Sequence, residues 1–246
     1  MALDYMEEYQ KWLSSPALTA AEHEELETIA QDPEEIRSRF YGPLEFGTAG
    51  LRGTMKTGLH HMNAHVVRHA TQGFANVIAA GGEEAKARGV AICMDCRIHS
   101  TDFARAAAEV MAGNGIRVRI FDALRPTPEL SFAVREYHCQ AGINITASHN
   151  PKEYNGYKVY WEDGAQLPPQ HADAIAEELA RIDIFRDIRS MDYDAGVAAG
   201  LITELGEECD ERFMENVMSM ANDPAMVASV ADEFKIVYTP FHGCGY

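Results

Sequence analysis

Basic residues are scarce in this 246-residue chain: Lys and Arg total 21 against 38 Asp and Glu, a formal charge of -17. Nucleic-acid binding draws on clustered Lys and Arg that displace condensed counterions, and the chain shows no such cluster, so that function class is excluded. Any anionic ligand must be held by a few local cations against an unfavourable overall field. Long apolar runs are also missing, since no stretch approaches about 20 uninterrupted apolar residues. The opening MALDYMEEYQKWL is acidic where a secretory leader would be basic and then apolar. These absences point to a chain with no membrane span, in the cytoplasm. Cysteine is sparse: five residues, an odd number, none in a dense short-spaced framework. Structural disulfides are therefore not expected, and a reducing compartment fits. Repeats and low-complexity segments are absent too. What is present, 46% hydrophobic and 24% charged residues, suffices for a sizeable core in one large domain or somewhat more.

From Asp4 to about Phe40 the apolar residues Leu18, Leu26, Ile29 and Ile36 recur near helical spacing, which predicts two short surface helices. LEFGTAGLRGTMKTG, with glycines at 47, 50, 53 and 58, predicts a loop. Asn63 is a candidate N-cap for a helix that Gly81-Gly82 ends. From Val90 to Ala147 the chain alternates: GVAICMD, IRVRIFD and GINITA read as strands, with helical stretches between them. Crossover connections of that length imply a mostly parallel sheet with helices on both faces, an α/β fold with some mixed pairing. An Asn155-Gly156 turn and a short added strand YKVYW follow, with antiparallel pairing open to it. Then come a helix from PPQHADAIAEELARI, a linker-like stretch from Asp187 to Gly200, a helix from EECDERFMENVMSMA and a strand FKIVYTP. The reading divides the chain into a first domain over 1–200 and the incomplete opening of a second over 201–246.

GINITASHNPKEYNGYKVYW, residues 142–161, leaves a buried strand to place Ser148, His149, Asn150 and Pro151 in a row. Ligands of open α/β sheets gather at the carboxyl ends of strands, which is where Ser148 falls. If the chain folds back, Lys158 approaches the same edge. An acyl-transfer serine would sit in G-x-S-x-G beside an oriented acid-base pair, and A-S-H-N has neither. A phosphoryl carrier needs cations and amides around it, because phosphoserine bears about -1.5 to -2 charge at neutral pH. Lys152, Lys158 and the glycine-rich segment with Arg52 are candidates to supply them.

TASHNP together with FGTAGLRG closely resembles the α-D-phosphohexomutase family, and the run from LEFGTAGLRG to YTPFHG is most similar to the bacterial phosphoglucomutase/phosphopentomutase branch. The resemblance covers essentially the whole chain. It implies phosphohexomutase domain I, followed by the start of a second α/β domain. Ser148 matches the phosphorylated serine, which implies interconversion of glucose 1-phosphate and glucose 6-phosphate through a bisphosphorylated sugar. His149 and Lys158 match active-site residues assigned to proton transfer and charge stabilisation, and Arg52 an arginine facing the phosphoserine. Asn150, Lys152, Thr48 and Gly50 are implied to bind the sugar phosphate. The resemblance also implies Mg²⁺ on Ser148 through its phosphate, with the remaining ligands beyond residue 246, and glucose 1,6-bisphosphate as activator. Mutases of other sugar phosphates, or a non-catalytic phosphosugar-binding module, stay open. The family's metal loop, sugar-recognition loop and C-terminal phosphate loop have no match, so the chain as given is expected to be inactive alone as a mutase, even with Ser148 phosphorylated.

Several signals read as structural. LHHMN places His61 where relatives usually carry arginine. His65 and His69, with Gln72 and Asn76, predict a solvated helix face. Cys93-Met-Asp-Cys96 lacks a second pair for zinc, and Asp192 and Asp194 lack the glycine spacing of a calcium loop. Asp95 and Arg97, in DCR at a strand end, could reach the site, but an internal ion pair that orients the following helix is the favoured reading, and His242 belongs to an entrance loop.

Overall fold

A computed structural model describes residues 4–48 and 50–239. The N-terminal segment forms three helices where the spacing predicts two, because three separate caps divide it. Asp4 caps α1 (Tyr5–Leu13), Thr19 and Glu22 make a capping box for α2 (Ala20–Thr28), and Asp32 with Pro33 opens α3 (Pro33–Phe40). Nor are these helices superficial. Trp12, Leu26 and Phe40 are fully buried, and Phe40 packs edge-on against Tyr9 and Trp12. Buried Arg39 donates to Glu25, Glu35 and the Thr57 carbonyl, while Glu25 accepts from the Thr57 backbone and hydroxyl. The helical segment thereby clamps the glycine-rich stretch from behind.

That stretch is not all loop, since β1 (Leu51–Thr54) lies within it. Next come α4 (Ala64–Ala80), capped by Asn63 as expected, and α5 (Gly82–Arg88), which the sequence reading does not assign. The alternating core follows as β2 (Val90–Met94), α6 (Ser100–Gly113), β3 (Val118–Phe121), α7 (Thr127–Glu136) and β4 (Ala141–Ile145). The remainder is β5 (Tyr154–Trp161), α8 (Pro169–Leu179), α9 (Tyr193–Ala198), β6 (Ile202–Leu205), α10 (Glu207–Ser219) and α11 (Pro224–Val230).

The strands form one sheet in the order β1-β5-β4-β2-β3-β6. The four strands β4, β2, β3 and β6 run parallel, whereas β5 is antiparallel to β4 and β1 antiparallel to β5. Every residue of β2 and β4 is buried, as continuous apolar runs require when helices cover both faces. One face packs on α4, α6 and α8 through Phe74, Met111 and Ile175. The other packs on α7 and α10 through Leu130, Phe132 and Cys209.

Several expectations change. Asn155 and Gly156 lie inside β5 and pair with Gly53 and Arg52; no turn is made there, because the 146–153 loop has already reversed the chain. Gly156 is needed at that place, since a Cβ would fall 2.6 Å from the Thr146 carbonyl and 2.9 Å from that of Leu51. The linker-like stretch contains α9, capped by Asp192, and is fastened by Arg189 N donating to buried Gln72. His65 is buried against Trp12 and 3.2 Å from Glu22, and His69 bonds the Ile182 carbonyl, so this helix face is covered rather than solvated. Residues 234–239 pair with no strand among the described residues. β6 and α10 both follow residue 200, yet they extend this sheet and cover its second face. His242 lies outside the described residues.

Candidate active site

From β2 the chain passes to β3 on one side, and from β3 it crosses back to β4 on the other. The loops after β2 and β4 therefore diverge, opening the crevice in which such sheets take ligands. Here it is a cavity of about 880 Å³ lined by residues 95–98 after β2, Thr127 at the start of α7, Thr146 and residues 148–153 after β4, and Lys158 on β5.

Ser148 is exposed on this cavity with a left-handed backbone, φ 56°. For a residue with a Cβ that conformation costs about 1–2 kcal/mol. Local bonds hold it: Ser148 N donates to Thr146 Oγ1 at 3.0 Å, and Asn150 N to the Ala147 carbonyl at 3.1 Å. His149 Nδ1 stands 3.5 Å from Ser148 Oγ, the outer limit of a hydrogen bond. Lys158 pairs with Asn144 across β4 and β5, which sets its side chain beside the carboxyl end of β4. The predicted approach of Lys158 thus holds, by way of the antiparallel register and not of a turn at Asn155.

Other predicted residues take graded places. Asn150 and Lys152 line the cavity with Ser148, His149 and Lys158. Exposed Arg52, on β1, does not line it but donates to Asn150 Oδ1 at 3.2 Å. Thr48 sits at the tip of a tight turn closed by Gly47 and Gly50, and Gly50 backs onto the Tyr157–Lys158 backbone, so both stay outside the lining. His61 is buried away from the cavity. Its Nδ1 is 2.8 Å from Thr54 Oγ1, and burial together with the nearby cations Lys56 and Arg39 pulls its pKa down to about 4. The imidazole is neutral there and no substitute for an arginine's charge.

Sequence reasoning missed two contributors, Thr146 and the structural part of Asn155, and ranked a third, Arg97, below its ion-pair role. Thr146 bonds the serine amide, as described above. Fully buried Asn155 donates to the Ile98 carbonyl and Ser100 Oγ, tying β5 to the loop after β2. Arg97 makes the expected ion pair with Asp95, Nε to Oδ2 at 3.5 Å, but its guanidinium also donates to four carbonyls of the serine loop. A strand-end D-x-R was the available signal. Cations from three segments, Arg97, Lys152 and Lys158, thus line a cavity in a strongly acidic chain. Among the described residues no group of three or more His, Cys, Asp or Glu side chains could hold a metal, and no helix is long and apolar enough to cross a membrane.

Residues 43–185 match the family model for phosphoglucomutase/phosphomannomutase, alpha/beta/alpha domain I. The chain is 39% identical over 214 residues to a phosphoglucomutase of Staphylococcus saprophyticus, covering 87% of this chain and 37% of that protein. It is 42% identical over 152 residues to a human phosphopentomutase, covering 59% of this chain and 25% of that protein. A solved phosphoglucomutase/phosphomannomutase family protein from Burkholderia thailandensis shares the fold with a TM-score of 0.53 at 20% identity, over 72% of this chain and 35% of the other. The chain therefore spans less than two fifths of the length of each of these proteins. The family match takes in β1 through α8, the span that builds the serine loop and its cavity, and on that ground the chain belongs to the phosphoglucomutase/phosphomannomutase family.

Proposed function

We propose that Ser148 is the phosphoryl carrier of a phosphoglucomutase that interconverts glucose 1-phosphate and glucose 6-phosphate. The observation that supports this most is an exposed serine on a left-handed turn, at the sheet's switch point, among cations from separate segments. In the proposed step the Oγ–P bond of phospho-Ser148 breaks and a bond forms from phosphorus to a sugar hydroxyl oxygen. The hydroxyl proton passes to His149, while the Lys158 ammonium gives a proton to the departing Ser148 Oγ. The sugar bisphosphate then turns over and returns its other phosphoryl group to Ser148, a cycle that glucose 1,6-bisphosphate would prime as activator. Arg52 is suited to phosphate by its planar fork, and Asn150, Lys152, Thr48 and Gly50 are assigned to the sugar phosphate. Such transfer depends chiefly on positioning and charge. An acyl-transfer role is disfavoured, because among the described residues no carboxylate is bonded to His149 to orient it.

A requirement for Mg²⁺ belongs to the same proposal. Phospho-Ser148 would offer such an ion one oxygen of the near-octahedral set it takes, and the other residues described here do not fit the remainder. Similarity to a phosphopentomutase favours pentose phosphates as a second substrate class. A cytoplasmic location goes with either substrate. The two-unit organisation is likewise proposed, with the junction after α10, whose Cys209 is the last buried residue among those described.

Incubating the chain with glucose 1,6-bisphosphate, and in parallel with ribose 1,5-bisphosphate, tests the carrier. Intact mass should show one added phosphoryl group and peptide mapping should place it on Ser148. Labelling that persists in Ser148→Ala would sink the assignment, and the faster donor identifies the sugar class.

A further inference from the structure

Arg97 is committed in a way that Arg52 is not. Its side chain is 11% exposed, in the loop that leaves β2. Nη1 donates to the carbonyls of Pro151 at 2.9 Å and Tyr154 at 3.0 Å, and Nη2 to those of Ser148 and Asn150, each at 2.7 Å. The two terminal nitrogens of a guanidinium carry four hydrogens, so every one of them is engaged. Asp95 anchors the fork from the other side: its Oδ2 faces Nε, and its Oδ1 accepts from Arg97 N at 3.0 Å and Ser100 Oγ at 2.9 Å. Arg97 thus lines the cavity with no terminal N–H left for a phosphate, although its charge is there. The residue it grips first, Ser148, is the one in a left-handed conformation, which persists only where surrounding bonds over-determine it.

We propose that Arg97 is a positioning residue: its fork holds residues 148–154 in the turn that aims Ser148 into the cavity, and so sets the rate of phosphoryl exchange at Ser148 while leaving affinity for the sugar phosphate nearly unchanged. The rate claim rests on the reading of Ser148 as carrier. Lysine separates this role from a purely electrostatic one. An ammonium keeps the charge but donates from a single atom, and it cannot span four carbonyls.

The first measurement needs no variant. In the ¹⁵N-labelled chain the Arg97 fork should give four resolved, slowly exchanging Nη–H signals, while exposed Arg52 gives an averaged one. An averaged signal from Arg97 overturns the proposal. In Arg97→Lys, checked for folding by circular dichroism, amide exchange across 148–154 should quicken and phosphorylation by glucose 1,6-bisphosphate should slow, each by about tenfold or more, the scale of a misplaced reacting group. The half-saturating donor concentration should move by less than about threefold, as expected when binding is untouched. In Arg97→Ala, added methylguanidinium should restore part of the lost rate. An Arg97→Lys chain within about twofold of wild type in both loop exchange and rate shows that charge alone matters, and the proposal fails. A wild-type chain that accepts no phosphoryl group at all sinks the carrier reading and the rate claim with it. Loop exchange and the Arg97 signals then decide the loop-holding role on their own.

Discussion

At Gly50 the chain has no room for one more carbon. A Cβ there would fall 1.9 Å from the Tyr157 carbonyl and 3.1 Å from Lys158 Cα, and the backbone is left-handed with φ +76°. Strain at that angle and forced displacement of β5 add together, so Gly50→Ala should destabilise the fold by about 2–5 kcal/mol. Gly42→Ala meets nothing within 4 Å and should stay within about 0.5 kcal/mol of wild type. Urea midpoints at constant slope provide the comparison. A Gly50→Ala chain as stable as Gly42→Ala would show that β1 and β5 are not in this close contact. Because Lys158 shares the displaced backbone, the same substitution should also slow Ser148 phosphorylation. The residues of the cavity were legible to an uneven degree. Ser148, His149 and Lys158 declared themselves as polar groups at the end of an apolar strand, and Arg97 as a strand-end residue within reach of the site, but its grip on the serine loop did not, because its four acceptors lie more than fifty positions away in sequence and only pairing of β2 with β4 brings them near.

Between elements, the packing of α10 on α7 contains an acidic pair that titrates. Glu129, buried in the first turn of α7, is pushed up to about 7 by burial and by the adjacent Asp210 of α10. Asp210 is held below the usual range by Arg125, whose Nε and Nη2 donate to its oxygens at 2.6 and 2.7 Å. One carboxyl thus carries a proton while its neighbour is ionised. A raised carboxyl pKa stabilises the fold below the unfolded value, about 4.3, and that contribution is lost as pH climbs through 7. Stability should therefore fall by about 1–3 kcal/mol between pH 5 and pH 8 from this group. Asp210 acts oppositely, its contribution being lost as pH falls through its depressed pKa. Glu129→Gln should flatten the upper limb, measured as urea midpoints against pH; an unchanged slope would place the proton elsewhere. At this scale the β-α-β-α-β run was readable, because apolar stretches bounded by glycine have few alternatives. β1 and β6 were not, since each is four residues long and becomes a strand only through its neighbour.

For the whole chain, burial is unevenly spread. From Glu211 to Thr239 nearly every residue is exposed, whereas Ile202, Leu205 and Cys209 are buried against the sheet and α7. A chain ended at Met220 should therefore keep its urea midpoint, and one ended at Gly200 should lose several kcal/mol, on the order of 1.5–3 kcal/mol for each large apolar side chain uncovered. Equal stability of the two would move the proposed junction back to residue 200. The hairpin of β4 and β5 carries one further consequence. Its closing loop is short, so little entropy opposes its formation, and it can arise from local sequence before the rest of the sheet is in place. Arg97 arrives only when Met94 comes to lie opposite Ile145 in the parallel pairing. A chain caught partway through folding would thus already display its serine and yet lack the grip that fixes it, so that reactivity is withheld until the pairing of β2 with β4 is complete.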